Sequence, residues 1–537
     1  MLASSGGGTD QLALGGLLVA VTALLLIAYY VEVPYPIVLV VGGLGLGFVP
    51  GVPQVQLEPD VVLVLFLPPL LYGAAFFSSL RDLRANLQPV ASLSIGLVVA
   101  TMLVVGVVAH AAIDDLSWAA AFTLGAVLAP TDPVAATAIA GRLGAPKRFV
   151  TVVEGESLIN DASALILFKF AVAAVVAGSF SLPAAVGEFL LSSAGGIAIG
   201  IGVAAVIAKV RKPLDDPLTE ISISLLSPFL AYLPANAVGT SGVLAAVTAG
   251  IWLGWRAPVL VTPETRLQST AVWEVLMFVL NAALFILLGT QLPGIVDGVS
   301  DQYSMATFIG WAALLTFTVV AVRFAWVIPR AIFDRVLRNQ ARELKNPVAP
   351  WGETFLVAFT GMRGAVSLAA ALAIPQVTDA GEPFPGRDLI ILVVYLVILF
   401  TIVGEGLALG PIIRRLGLSD ASTHEAKEAK ARLKAAMAAI DRLDELGSEA
   451  WVGQDSAARL KATYEFRVRR FKARFDEDDD GVIEDRSQAY QRLRREALEA
   501  ERRELIRLRD IGFIHSDVLH KIERDLDLED LRLDRRD

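Results

Sequence analysis

The stretch Val152 to Phe170, VVEGESLINDASALILFKF, decides how the rest of the chain is read. Its second half is apolar enough for lipid, yet it carries Glu156, Ser157, Asn160 and Asp161 within two helical turns. On a helix Glu156 and Asn160 lie four residues apart, as do Ser157 and Asp161, so the four share one broad stripe. An ionisable side chain at membrane depth costs about 2.5–3.5 kcal/mol on insertion scales, so this stripe must face protein or water and find compensation there.

The whole chain has the composition that such a segment needs. Its 537 residues are 55% hydrophobic and 19% charged, and the charge is crowded into the last part of the chain. Apolar runs of about 18 or more residues, each long enough to cross a bilayer core, recur through the first 415 positions. The start, MLASSGGGTDQ, has no lysine or arginine ahead of its first apolar run, so a retained terminus is expected rather than a cleaved signal. The absence of cysteine excludes disulfides, thiol catalysis and thiolate metal sites, and the net charge of −9 argues against a nucleic-acid partner. His110, His424, His515 and His520 show no metal-ligand spacing, so no metal cofactor is expected.

Apolar runs set against turn signals predict an all-α polytopic membrane protein with about thirteen spans. Loops expected on the cytoplasmic side carry Arg81 and Arg84, then Arg142, Lys147 and Arg148, then Lys209, Arg211 and Lys212, then Arg256 and Arg266, then Arg330 to Lys345. The opposite loops have Arg387 alone, so the basic-side rule puts the amino terminus outside and the tail inside. Two spans are interrupted: the fifth by LAPTDPVAAT, with Pro130 and Pro133, and the twelfth by AFTGMRGAVS, where Gly361 and Gly364 flank Arg363. With span seven as a linker, two inverted six-helix halves place these interruptions at matching positions, the sequence pointer to a transporter's site. The boundaries expected are 1–415 for the transmembrane domain and 416–537 for a cytoplasmic tail of charged amphipathic helices.

Within the stripe, Glu156 is expected to pair with Arg363, the cation inside span twelve. Asp161 has no such partner in nearby sequence apart from Lys169, and a carboxylate buried without one exchanges protons near physiological pH. It can then hold a proton or a hard alkali cation in turn, with carbonyls freed at the PTDP break completing an oxygen-rich site.

Five blocks carry a family resemblance: LPPLLYGAAF from Leu67, PTDPVAATAIAGRLGAPKRFVTVVEGESLINDASALILF from Pro130, TSGVLAAVTAGIWLG from Thr240, VWEVLMFVLNAALFILLGTQLP from Val272 and GMRGAVSLAAALAIP from Gly361. Over about residues 12–415 the chain resembles the monovalent cation/proton antiporter-1 family of sodium/proton exchangers, bacterial type. The resemblance implies Asp161 as the exchanging carboxylate, with Asn160, Ser157, the Asp132 side chain and a Thr131 carbonyl around the ion. It implies Glu156 and Arg363 as a structural ion pair, electroneutral exchange because Asn160 precedes Asp161, crossed broken helices, and a homodimer in a bacterial inner membrane. Two positions depart from the family: Gly73 where many relatives are acidic, and Glu405 where glutamine is common. Both bear on the choice among Na+, K+ and Li+.

The function expected is therefore secondary antiport of an alkali cation, Na+ first, against H+, by alternating access. A potassium/proton antiporter of the same family is the nearest alternative. A channel would need a selectivity ring, and an aspartyl protease two aspartates sharing a proton, for which Asp132 and Asp161 are the only candidates named by the pattern. A sensor that has lost transport is a weaker option, and any regulator that binds the tail is left unnamed. In the tail, DEDDDGVIEDRS from Asp476 to Ser487 follows the first half of a calcium loop but ends on Ser487 where a bidentate glutamate is required. It reads as a solvated acidic linker, and calorimetry on the tail should show no calcium uptake at millimolar concentration.

Overall fold

The computed structural model describes residues 9–31, 33–49, 62–178, 181–297, 303–340, 349–418, 421–447, 449, 451–473 and 482–534. The acidic loop's residues 476–481 lie outside them, as do Arg342 and Lys345. The chain separates into two compact units, Met1–Ser419 and Asp420–Asp537.

The first unit is helical. Its helices are α1 Thr9–Tyr30, α2 Tyr35–Gly47, α3 Leu67–Phe77, α4 Leu80–Ala85, α5 Leu87–Ala91, α6 Val98–Ala112, α7 Trp118–Leu128, α8 Val134–Arg142 and α9 Lys147–Val176. They continue as α10 Leu182–Arg211, α11 Pro217–Ala237, α12 Gly242–Leu260, α13 Pro263–Thr290, α14 Leu292–Asp297, α15 Met305–Gln340, α16 Trp351–Phe359, α17 Ala365–Leu372 and α18 Arg387–Arg415. Short π-helical turns lead into α3 and α6. Among the described residues eight helices are long and apolar enough to cross a membrane, and shorter apolar helices accompany them. The protein is a multi-pass membrane protein.

Local chemistry explains many boundaries. Ser117, Asp216, Ser241 and Thr262 each accept a hydrogen bond from a backbone N–H of the first turn that follows, closing α7, α11, α12 and α13 at their starts. Burial sorts the helices into inner and outer: 78% of the apolar window of α18 is buried, against 22% for α10, whose Leu190, Leu191 and Ile201 are exposed as lipid-facing side chains would be. Where helices touch most closely, small residues allow it. Gly43 of α2 faces Gly289 of α13, and Gly254 of α12 lies against the backbone of Phe76 in α3.

The two interruptions meet. Between α7 and α8 the chain is non-helical from Pro130 to Pro133, because Pro130 and Pro133 have no N–H to give and Asp132 turns back to cap α8, its Oδ1 accepting from Val134 N at 2.9 Å. Between α16 and α17 it is extended across Thr360–Gly364. The breaks cross directly, with Asp132 N–H donating to Met362 O at 2.7 Å.

Gly364 is the point of closest approach. A Cβ there would lie 2.5 Å from the Cβ of Asp132, so Gly364→Ala must push the breaks apart. Overpacking of this kind costs about 1–3 kcal/mol, and a thermal melt of the detergent-solubilised variant should show it as a lowered midpoint.

Candidate functional site

Breaking a helix in hydrocarbon strands its last carbonyls and first amides, and each must be paired inside the protein. At the crossing the partners come from several elements. Arg363 donates from Nε to Leu128 O at 3.0 Å, at the carboxyl end of α7, and from Nη1 to Gly361 O. Its own N–H donates to Thr401 Oγ1 at 3.1 Å, and Gly361 N–H donates to Glu405 Oε2 at 2.7 Å, both acceptors projecting from α18. Arg363 is thus a cap for a helix end, where a cation meets the negative pole of the helix.

This placement corrects the expected pairing of Glu156 with Arg363. The partner of Glu156 is Arg323 of α15, which makes a two-pronged contact: Nη1 to Oε1 at 2.5 Å and Nη2 to Oε2 at 2.8 Å. Both side chains are almost wholly buried, and Arg323 Nε also donates to Val357 O at 2.9 Å. The fork geometry of a guanidinium against a carboxylate makes this the stronger use of Glu156. Arg363, committed to carbonyls on α7 and on its own break, has no ion pair among the described residues.

From the ion pair a chain of hydrogen bonds reaches the first break. Thr131 Oγ1 donates to Glu156 Oε1 at 3.1 Å, and Asn160 Nδ2 donates to Thr131 Oγ1 at 2.8 Å. A longer contact of 3.4 Å joins Asn160 Nδ2 to Thr131 O. Asn160 therefore supports the break, while its Oδ1 is buried without a hydrogen-bond partner.

Asp161 faces elsewhere. With Asp132, Thr131 and Ser157 it lines a cavity of about 590 Å³, bounded also by α3, α13 and the start of α17. Among the described residues no lysine or arginine lines it, and Lys169, two turns along α9, is exposed. Four of the expected ligands thus share one cavity, and Asn160 stands behind it. Gly73 belongs to the wall as well; the space a side chain would take there is filled by Met277 Sδ and the Trp273 ring. Ser367 of α17 also borders the cavity, its hydroxyl buried and unpartnered, and no spacing in the sequence had marked it. Among the described residues no group of three or more His, Asp or Glu is placed to hold a metal ion.

Helix breaks that cross beside a largely apolar cavity, with Asp132 and Asp161 in its wall, are the features of a secondary-active transporter of small cations. The chain belongs to the transmembrane sodium/hydrogen exchanger family, whose pattern it matches over residues 17–415, and it is a secondary-active monovalent cation/proton antiporter. It is 35% identical over 539 residues to an uncharacterised Na+/H+ exchanger of Mycobacterium tuberculosis, covering 98% of this chain and 97% of that one. A sodium, potassium, lithium and rubidium/H+ antiporter of Bacillus subtilis is 35% identical over 382 residues, or 69% of this chain and 56% of that protein. The fold is shared with the sodium proton antiporter MjNhaP1 of Methanocaldococcus jannaschii at a TM-score of 0.59 and 19% identity, over 76% of this chain and 99% of that one.

The two arginines should behave differently on truncation. Arg323→Met leaves Glu156 buried and unpaired, a loss of about 3–5 kcal/mol that a thermal melt will register, and adding Glu156→Gln should restore most of it. Failure of the second substitution to rescue would contradict the pairing.

Proposed function

We propose that this protein exchanges one alkali cation, Na+ in the first instance, for one H+, with the two competing for the Asp161 carboxylate. The observation that carries the reading is the position of Asp161: buried, free of any cationic partner among the described residues, and open to a cavity that also presents Asp132, Ser157 and Thr131. A carboxylate in such a place is costly as a bare anion, so it holds a proton or a cation, and either load neutralises it for passage. Hard cations take oxygen ligands, and the Asp132 and Asp161 carboxylates, the Ser157 hydroxyl and the Thr131 carbonyl supply them. Asn160 adds no second charge beside Asp161, which supports one-for-one, electroneutral exchange.

We infer thirteen crossings in two inverted halves, with the amino terminus outside. The packing supports this: α3 lies on α12 as α13 lies on α2, the relation expected if the third and tenth spans, and the second and ninth, correspond. The cavity runs from Asp161 toward the ends of α3, α8, α9 and α13, near which Arg81, Arg142, Lys147 and Arg266 lie. Phe168, Leu124 and Leu128, which are not among the lining residues, belong to a continuous apolar core. In this topology the conformation is inward-open and outward-closed, and the unit of function is a homodimer with one site in each protomer. Residues 416–537 act as a cytoplasmic regulatory tail.

Potassium is the second reading, favoured by the cations in the name of the Bacillus subtilis relative and by the missing acidic side chain at Gly73. Purified protein in liposomes with an internal pH dye, challenged in turn with Na+, K+ and Li+, separates the cations. Asp161→Asn should abolish cation-driven pH change for every cation while the melt stays native-like; retained exchange would remove Asp161 from its role. A channel would pass the cation with no coupled pH signal.

A further inference from the structure

The second unit consists of α19 Ala421–Leu446, α20 Gln454–Ala473, α21 Val482–Asp510 and α22 Ser516–Asp534. Amphipathic helices of this kind bury their apolar stripes against one another. Leu498 and Leu526 do so between α21 and α22. Where α19, α20 and α21 converge the packing differs. A cavity of about 1050 Å³ opens there, with Ala435, Ala436, Ala439 and Ala462 on its walls. Small side chains leave the space that a leucine core would fill.

What projects toward that space is basic. Arg432, Arg467, Arg470 and Arg494 line the cavity, and among the described residues none that lines it is acidic. Two of these cations are held from outside, Arg432 by Glu428 at 2.5 Å and Arg494 by Glu529, whose Oε1 accepts from Nε at 2.8 Å. Arg467 rests on the Tyr464 ring, its Cζ 5.1 Å from the centroid. A second, independent feature is Gln491 in the same wall, 4% exposed, with its Nε2 donor buried and unpartnered. A buried donor without an acceptor calls for an occupant that accepts.

We propose that this cavity binds a polyphosphate anion, with a nucleoside triphosphate as the type of ligand that suits it best. Guanidinium forks match phosphate oxygens, and a volume of this order is that of small-molecule pockets. The Gln491 amide supplies a neutral donor, and the Tyr464 and Tyr490 rings offer apolar faces on which a base can rest. The inference concerns the tail alone and stands whether or not Asp161 carries exchange.

The test uses the full-length protein in nanodiscs, with ATP and inorganic tripolyphosphate as probes in equilibrium dialysis. Saturable binding near one probe per chain, weakened by added salt and not competed by adenosine, is expected. Arg467→Ala should weaken it about tenfold, the equivalent of about 1.4 kcal/mol. Ala435→Trp keeps every charge and fills the space from an exposed position, so it should abolish binding with an unchanged melt. Exchanging phosphatidylcholine for phosphatidylglycerol separates the sources of phosphate: unchanged ATP affinity assigns the site to a soluble anion, and displacement of ATP assigns it to a lipid headgroup. No saturable binding of either probe at millimolar concentration, or binding indifferent to both substitutions, would overturn the proposal.

Discussion

Everything in the membrane unit follows from the need to pair the backbone groups set loose where two helices stop inside the bilayer. Lipid offers no donor or acceptor, so each carbonyl and amide at the breaks must find one within the protein. The fold answers with a crossing in which Asp132 N–H meets Met362 O, Arg363 covers Leu128 O, and Thr401 and Glu405 take the amides of Arg363 and Gly361. Gly364 is what lets the strands come so close.

That arrangement divides labour among the polar groups on α9. Glu156 is locked by Arg323 and holds Thr131, and Asn160 holds Thr131 from the other side. These bonds fix the break's shape without using the carboxylate of Asp161. The bonds that hold these neighbours leave Asp161 out, and it has no ion-pair partner among the described residues.

The tail illustrates the opposite use of the same residues. In the first unit Arg323 and Arg363 are buried with acceptors in place; in the second unit four arginines border open space, Arg432, Arg467 and Arg494 at least partly exposed and Arg470 buried. Alanine at the positions facing them keeps the space open.

The sequence by itself determined that the chain is a multi-pass helical bundle, because apolar run length and the alternation of basic loops are direct consequences of bilayer thickness and membrane electrostatics. It also marked both breaks, since proline and glycine act locally on the chain that contains them. Helical spacing put Ser157 and Asp161 on one stripe and the family resemblance added Thr131 and Asp132; that the four line one cavity is what the structure contributes. The partner of Glu156 was not legible. Arg323 sits in a run that leads into Arg330 and Arg335, so it reads as the basic end of a span, and it lies 167 residues from Glu156. Arg363, the conspicuous cation, turned out to serve carbonyls. Which of two buried arginines meets a given carboxylate depends on how α9, α15 and the break between α16 and α17 pack side by side, and only the tertiary structure decides that, because no periodicity within one helix records the rotation of its neighbours.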